Sequence, residues 1–410
     1  MPWIVKLILF VSLMLLAELY FFKRIYNSIR ILSPNSRFLG SKGLRWLLLS
    51  IINFVPIFFL ISWIIELLIG YEIDLPTKNT LFDFLFYYPF WISIIMILQS
   101  VVIILPLDLI RISLLPIKKI NRQKLKKSNA KIVLIVVIIF LIYVPSRILF
   151  DATQVSVRET SYVSTNLDED LHNFRVGLIS DIQADWYNNN ERIDNYINKL
   201  NETNPDIVFI PGDMITNDKG SIPIAAEMVG KIKSKYGVYA CVGDHDNWAY
   251  GRDILKSRSE VISNLGMYGA KMLDNANFVL QFDSSRLGMT FITDTYSERI
   301  DNKLLDSLTN SLDNVDLRIF ITHQPNGRMK EMAVHKDYDL MLSGHTHGGQ
   351  ITLLFPFINL TPTLIETNYV KGDFWFDKLL MVVNGGLGMS LAPIRYNSTP
   401  EVTLIVLRNK

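Results

Sequence analysis

Four stretches in the first 150 residues stay apolar for about the ~20 residues that a bilayer crossing requires. They are 3–22, 45–70, 84–110 and 131–150, and each predicts a membrane-spanning helix. The first lacks a small-residue cleavage site, carries Glu18 near its end and is followed by three more such runs. It therefore reads as an anchor and not as a cleaved leader. From about residue 172 the pattern changes. Short β-branched runs end in Gly, Asp or His: 174–181, 205–213, 237–246, 317–325 and 338–349, with further strands at 379–388 and 401–408. Amphipathic stretches at 190–203 and 222–235 read as helices between them. Strands alternating with helices predict an α/β domain. The chain thus divides into a four-helix transmembrane anchor, 1–150, and a second domain, 151–410.

Charge sharpens this division. The chain carries a net +2, which argues against a nucleic-acid partner, but the balance is uneven. Residues 1–150 hold 17 Lys and Arg against 6 Asp and Glu, a net +11. The remainder is −9 and holds all six histidines. Segments 23–45 and 111–131 contain six and eight basic residues and no acid, whereas 71–83 sets Glu72, Asp74 and Asp83 against Lys78. Short basic loops remain cytoplasmic. Loops one and three are then inside and both termini outside, so the chain is expected to be multi-pass in the cell membrane with an extracytoplasmic second domain. Membrane lipids are the implied partners. The intramembrane acids Glu18, Glu66 and Asp108 lie near span ends and are expected to reach the headgroups. The single Cys241 excludes an internal disulfide framework.

The strand ends carry the chemistry. Polar residues at the C-termini of strands in an α/β sheet line its ligand crevice. Here that position holds Asp181, Asp213, Asp244, His245, Asp246, His323, His345 and His347. Gathered without a cation, these acids would repel one another and be costly to bury. Carboxylate and imidazole in one crevice suit Mn, Fe or Zn, and two ions sharing a bridging carboxylate would neutralise the set.

The blocks GDMITN (212–217), GDHD (243–246), THQP (322–325) and SGHTHGGQ (343–350), in this order after Asp181, resemble the calcineurin-like metallophosphoesterases. The segment 385–407 is similar to the end of that family's membrane-associated bacterial branch. The resemblance covers about 172–408. It implies a β-sandwich flanked by helices, two divalent metal ions, and hydrolysis of a phosphoester or pyrophosphate bond by activated water. It also implies that Asp181 and His347 bind one ion, that Asp213 bridges, and that His323 and His345 bind the other. His245 would face the substrate phosphate or leaving group, with Asp246 fixing its ring. Two positions depart from the family pattern. Gln183 stands where the first block has His, and Asp244 where the third has Asn. Counting both as ligands leaves metal one held more weakly, through an amide oxygen, or makes it a harder ion such as Mn or Mg, with Asp185 able to swing in instead.

A crevice at the outer leaflet favours a phosphorylated, lipid-linked or envelope substrate. The apolar stretch 351–364, directly after the histidines, is either core or a segment dipping toward the membrane. Trp186, Tyr187, Trp248 and Tyr250 flank the metal motifs as candidate cleft walls. Two alternatives are a non-catalytic phospho-ligand binding or sensor protein with a weakened metal site, and a transporter regulated by its outer domain.

Overall fold

The computed structural model describes residues 3–34, 42–69, 80–117, 121–165, 167–282, 284–355 and 358–410. The chain forms two compact units, Met1–Leu149 with Leu353–Leu360, and Phe150–Thr352 with Thr361–Lys410.

The first unit is built of α1 (Trp3–Leu32), α2 (Lys42–Ile69), α3 (Thr80–Phe82), which runs through a π-helical turn into α4 (Tyr88–Leu114), and α5 (Arg122–Thr153). Among the described residues three helical stretches, not four, are long and apolar enough to cross a membrane: Trp46–Ile69, Thr80–Leu114 and Arg122–Thr153. The fourth expected span, 3–22, falls in α1. That helix continues past its apolar run into Lys23, Arg24 and Arg30, and most of its side chains before residue 11 lie outside the described residues. The acidic loop residues Glu72 and Asp74 also lie outside them, as does the side chain of Glu66.

Glu18 and Asp108 face neighbouring helices. Both are buried, at 7% and 6% exposure. Asp108 accepts from the Tyr20 hydroxyl at 2.6 Å and pairs with Arg24 Nε at 2.6 Å and Arg111 Nε at 3.4 Å. Glu18 accepts from the Asn53 amide at 2.8 Å. An ionised group facing hydrocarbon is costly, so it turns inward to a partner on another helix.

The second unit holds two six-stranded sheets. The first has the order β1-β14-β2-β3-β4-β5, from β1 (Ser156–Ser164), β2 (Arg175–Leu178), β3 (Ile207–Pro211), β4 (Val238–Cys241), β5 (Ala270–Leu273) and β14 (Glu401–Asn409). The second has the order β12-β13-β9-β8-β7-β6, from β6 (Ala276–Phe282), β7 (Ser285–Ile292), β8 (Leu317–Thr322), β9 (Leu340–Ser343), β12 (Gly372–Phe376) and β13 (Leu379–Val383). Strands β2 to β5 run parallel, as do β7, β8, β9 and β13. Parallel strands covered on both faces read as continuous apolar runs, which is why Ile207–Pro211 is buried throughout. A short hairpin, β10 (Leu353–Phe355) and β11 (Ile358–Leu360), stands apart from both sheets.

One buried cluster draws on both sheets, with Leu178, Phe209 and Tyr239 from the first and Phe291, Ile321 and Leu342 from the second. The alternate residues Val208, Ile210 and Ala240 pack instead with α6 (Asn190–Glu202), α7 (Ser221–Val229) and α8 (Ile254–Met267). Phe320, Met341 and Met381 pack with α9 (Asn302–Asn310) and α10 (Gly327–His335). Alternation along each strand thus supplies two cores. Helix α7 stops at Val229, short of the expected 235: Gly230 still donates to Ala226 O at 2.9 Å, but Lys231 and Ile232 donate only three residues back, to Met228 O and Val229 O at 3.0 Å, which tightens and ends the last turn.

Candidate metal centre

Five strands of the second unit deliver the candidate ligands, each one to four residues past the strand end. Asp181 follows β2, Asp213 follows β3, Asp244 follows β4, His323 follows β8, and His345 with His347 follows β9. A strand continuing straight would carry these side chains away from one another, so the backbone turns sharply. Asp181, Gln183, Asp213, His345 and His347 all adopt left-handed φ, between 49° and 69°. Non-glycine residues hold this conformation at a cost that concentrates at functional sites. The loops also touch. A Cβ on Gly243 would collide with Asp213 N, and one on Gly344 would lie 2.6 Å from Asp181 Oδ2. These glycines let the Gly-Asp and Gly-His loops close on each other.

The loops assemble two donor sets. Asp181, Asp213 and His323 offer ligand atoms within 4.8 Å of one another, and so do Asp244, His323 and His345. His323 Nε2 lies 3.3 Å from Asp213 Oδ2 and 3.4 Å from Asp244 Oδ2. His345 Nδ1 lies 3.0 Å from Asp244 Oδ2, and His347 Nε2 lies 3.5 Å from Asp181 Oδ1. Gln183 Nε2 donates to Asp213 Oδ2 at 2.8 Å, while its Oε1 is buried without a hydrogen-bond partner. The carboxylates of Asp181, Asp213 and Asp244 are 0–1% exposed.

Burial alone would raise the Asp213 and Asp244 pKa values, but the neighbouring imidazoles outweigh it and hold both below the usual carboxylate range. Burial opposes charge on His345, yet hydrogen bonds to Asp244 and Glu366 lift it to about 9. Burial holds His347 down to about 4. The cluster is an anionic hole that attracts positive charge. An orphaned amide oxygen and surplus buried carboxylates are what a divalent cation would satisfy, so the residues present fit a metal centre.

Asp185 does not join either set. Its Oδ1 accepts the N–H groups of Tyr187 and Asn188 at 2.8 and 2.7 Å, and its Oδ2 accepts the Thr216 hydroxyl at 2.9 Å. Asp246 also differs from expectation, since it does not hold the His245 ring. Its carboxylate accepts the N–H groups of Asp213, Met214 and Gly243 at 2.8–3.0 Å, and burial beside Asp213 pushes it up to about 6. It fixes the loops instead. His245 Nδ1 lies 2.6 Å from Thr216 O, and a carbonyl only accepts, so Nδ1 carries the proton there. Nε2 is left free and meets Ser390 Oγ at 3.2 Å. Trp248 packs edge-on against the ring with centroids 4.4 Å apart. Trp186 is half exposed, and the Tyr250 hydroxyl is spent on Glu260 at 2.6 Å.

Four site residues carried no signal in the motifs. Glu366 Oε2 lies 3.1 Å from His345 Nε2 and accepts the Tyr296 hydroxyl at 2.7 Å. Tyr296 N in turn donates to Asp244 Oδ1 at 2.7 Å. These residues border a cavity of about 240 Å³ that Gln324 and Arg299 also line. Arg395, buried at 2% exposure, donates to the carbonyls of Gly388, His347, Gly385 and Ser398 at 2.8–3.1 Å and locks the loop behind His347. Ser390, beside His245, is the fourth.

Residues 174–349 match the family described as calcineurin-like phosphoesterase. The metallophosphoesterase YkoQ of Bacillus subtilis (strain 168) is 31% identical over 204 residues, covering 48% of this chain and 71% of that protein. YkuE of the same organism is 27% identical over 268 residues, covering 62% and 86%. The Danio rerio transmembrane protein with metallophosphoesterase domain is 27% identical over 247 residues, covering 59% of this chain and 55% of the relative. With the donor sets at the strand ends and this similarity across the same residues, the chain belongs to the calcineurin-like phosphoesterase family and is a metal-dependent phosphoesterase.

Proposed function

We propose that this chain is a phosphoesterase anchored in the cell membrane by the apolar helices of its first unit, with its metal-binding unit extracytoplasmic, acting on a phosphorylated, lipid-linked or envelope substrate. The observation that carries the hydrolytic part is the pair of donor sets sharing His323, with His245 Nε2 uncommitted to the backbone. Asp181, Asp213 and His347 would hold one divalent ion, and Asp213, Asp244, His323 and His345 the other; His323 Nδ1 is taken by Pro211 O, so its Nε2 lone pair serves one ion only. Such a pair neutralises charge on the phosphoryl oxygens and lowers the pKa of water. Gln183 orients Asp213 through its Nε2 and presents its own amide oxygen to the ion held by Asp181 and His347. Thr216 fixes the ring of His245, which when protonated gives its Nε2 proton to the leaving oxygen. The basic segments 23–45 and 111–131 support the orientation, and the apolar helices beside them support the membrane-borne substrate.

Elemental analysis of the purified full chain, with hydrolysis of a chromogenic phosphodiester and of lipid-linked pyrophosphates, tests this reading. The expected result is turnover that a chelator abolishes and added Mn or Mg restores. Bound metal without turnover of any of these substrates would favour the ligand-binding alternative. A reporter fused after Lys410 should be active only outside the cytoplasm.

A further inference from the structure

The hairpin Leu353–Leu360 follows the metal-binding histidines in sequence, yet it groups with the helical unit. Gln99 of α4 explains how it is held. Leu354 N donates to Gln99 Oε1 at 2.7 Å, and Gln99 Nε2 donates to Leu354 O at 2.9 Å. The side-chain amide thus stands in for a neighbouring strand along the hairpin's edge, and Gln99 is only 1% exposed. In water this edge would be solvated without help. In hydrocarbon each unpaired backbone group costs several kcal/mol, so an open strand edge must be covered.

The position of Gln99 sets the depth. It lies twelve positions before Arg111, about 18 Å along a helix rising 1.5 Å per residue. Arg111, Arg24 and Asp108 form an interlocked charged group of the kind that gathers at a headgroup boundary. A hydrocarbon core of about 30 Å then puts Gln99 roughly 12 Å inside the opposite boundary. Leu354 and Phe355 are 45% and 42% exposed, and Ile103, one turn along α4 from Gln99, is also open.

We infer that β10–β11 is a re-entrant membrane hairpin, with Leu354 and Phe355 of β10 in contact with lipid acyl chains and the β10 edge satisfied at Leu354 by Gln99. The inference rests on the membrane-anchor reading of the helices. Lipid hydrocarbon is the occupant because the exposed side chains of β10, Leu354 and Phe355, are apolar at the depth of Gln99, whose amide is consumed by the Leu354 backbone.

The test uses the full chain in phospholipid nanodiscs. Cys241 is buried, so Phe355→Cys supplies the reactive thiol for an environment-sensitive fluorophore. Ile138→Cys on α5 and Leu255→Cys on α8, 54% and 75% exposed, serve as lipid and water references. The expected result is that the label at 355 is quenched by nitroxides on the acyl chains, emits blue-shifted and is shielded from aqueous iodide, like the label at 138. If 138 is quenched from the lipid while 355 behaves like 255, the hairpin inference fails alone. If 138 is also open to iodide, the anchor reading itself fails and the inference with it. Gln99→Leu is expected to red-shift the 355 label. An unshifted label would overturn the amide pairing as what holds the hairpin.

Discussion

In the helical unit, Asp108 is buried against Arg24, Arg111 and the Tyr20 hydroxyl, and Glu18 against the Asn53 amide. In the phosphoesterase unit, Asp181, Asp213 and Asp244 are buried more deeply and meet imidazoles, backbone N–H groups and two glutamine amides. The helical unit supplies Glu18 and Asp108 with fixed side-chain partners. The other leaves negative charge in surplus, together with an orphaned amide oxygen on Gln183. Burying charge is expensive in both. The difference is that a permanent guanidinium makes a joint between helices, whereas a shortage of permanent cations makes a binding site. Substitutions in the two units should therefore fail in different assays.

The largest expected effect is on turnover. His245→Ala should lower kcat by about 10²–10⁴, the usual scale of general acid catalysis, while leaving metal content and thermal stability unchanged, because the ring belongs to neither donor set. Steady-state kinetics beside elemental analysis would check this, and loss of metal in this variant would move His245 among the ligands. Asp108→Asn should do the reverse. Stranding Arg24 without its counter-charge costs about 3–5 kcal/mol by analogy with other broken buried pairs. It should lower the thermal midpoint of the detergent-solubilised chain without changing metal content. Replacing both partners, Arg24→Met with Asp108→Leu, should recover most of the loss.

The metal unit was legible in the sequence because its signals are local. A buried parallel strand is a continuous apolar run, and the residues just past 178, 211, 241, 322 and 343 are the ones that the sheets bring to one edge. What escaped depends on closure of the chain in space. Glu366 sits in an apolar-to-polar stretch with no fixed spacing to any motif, and only the return of the chain after the hairpin brings it to His345. Arg395 and Ser390 arrive on the loop between β13 and β14. Asp246 was misread as a partner of His245 because adjacency in sequence says nothing about direction in a tight 3-10 turn, where its carboxylate points back to Gly243 N. In the helical unit hydropathy marks the spans but not their rotation, so the inward turn of Glu18 and Asp108 was invisible.

Glu366 gives the next test. A metal-ligating imidazole is oriented by the acceptor on its second nitrogen, and loss of such an acceptor typically weakens metal affinity 10–100-fold. Glu366→Gln should produce a loss of about that size at the set holding Asp244, His323 and His345, read by chelator competition, with the Asp181 set unaffected. The chain should keep its thermal stability, since Glu366 is half exposed. Equal weakening at both sets, or a lowered melting temperature with unchanged affinity, would make Glu366 a structural residue only.

The smallest effect comes from an acid in the phosphoesterase unit that is paired in the manner of the helical one. Glu401, 1% exposed, meets Lys371 Nζ at 2.7 Å and Arg158 Nε at 3.1 Å. Burial works to raise its pKa, but the two cations outweigh burial and hold it below the ordinary glutamate value. A depressed folded-state pKa means that the unfolded chain binds more protons around pH 4, so stability rises with pH there. The contribution is complete above the unfolded value of about 4.3 and is lost as pH falls through the folded one. Glu401→Gln should remove that part of the acid sensitivity. Thermal midpoints of the metal-free full chain between neutral pH and pH 3.5 should fall less steeply in the variant. At neutral pH the variant should melt about 2–4 °C lower, the shift that roughly 1 kcal/mol makes in a domain of this size. Parallel acid profiles for the two proteins would show that Glu401 is matched by its cations only in geometry, and the contrast between a paired acid and a metal-seeking one would then rest on Asp108 alone.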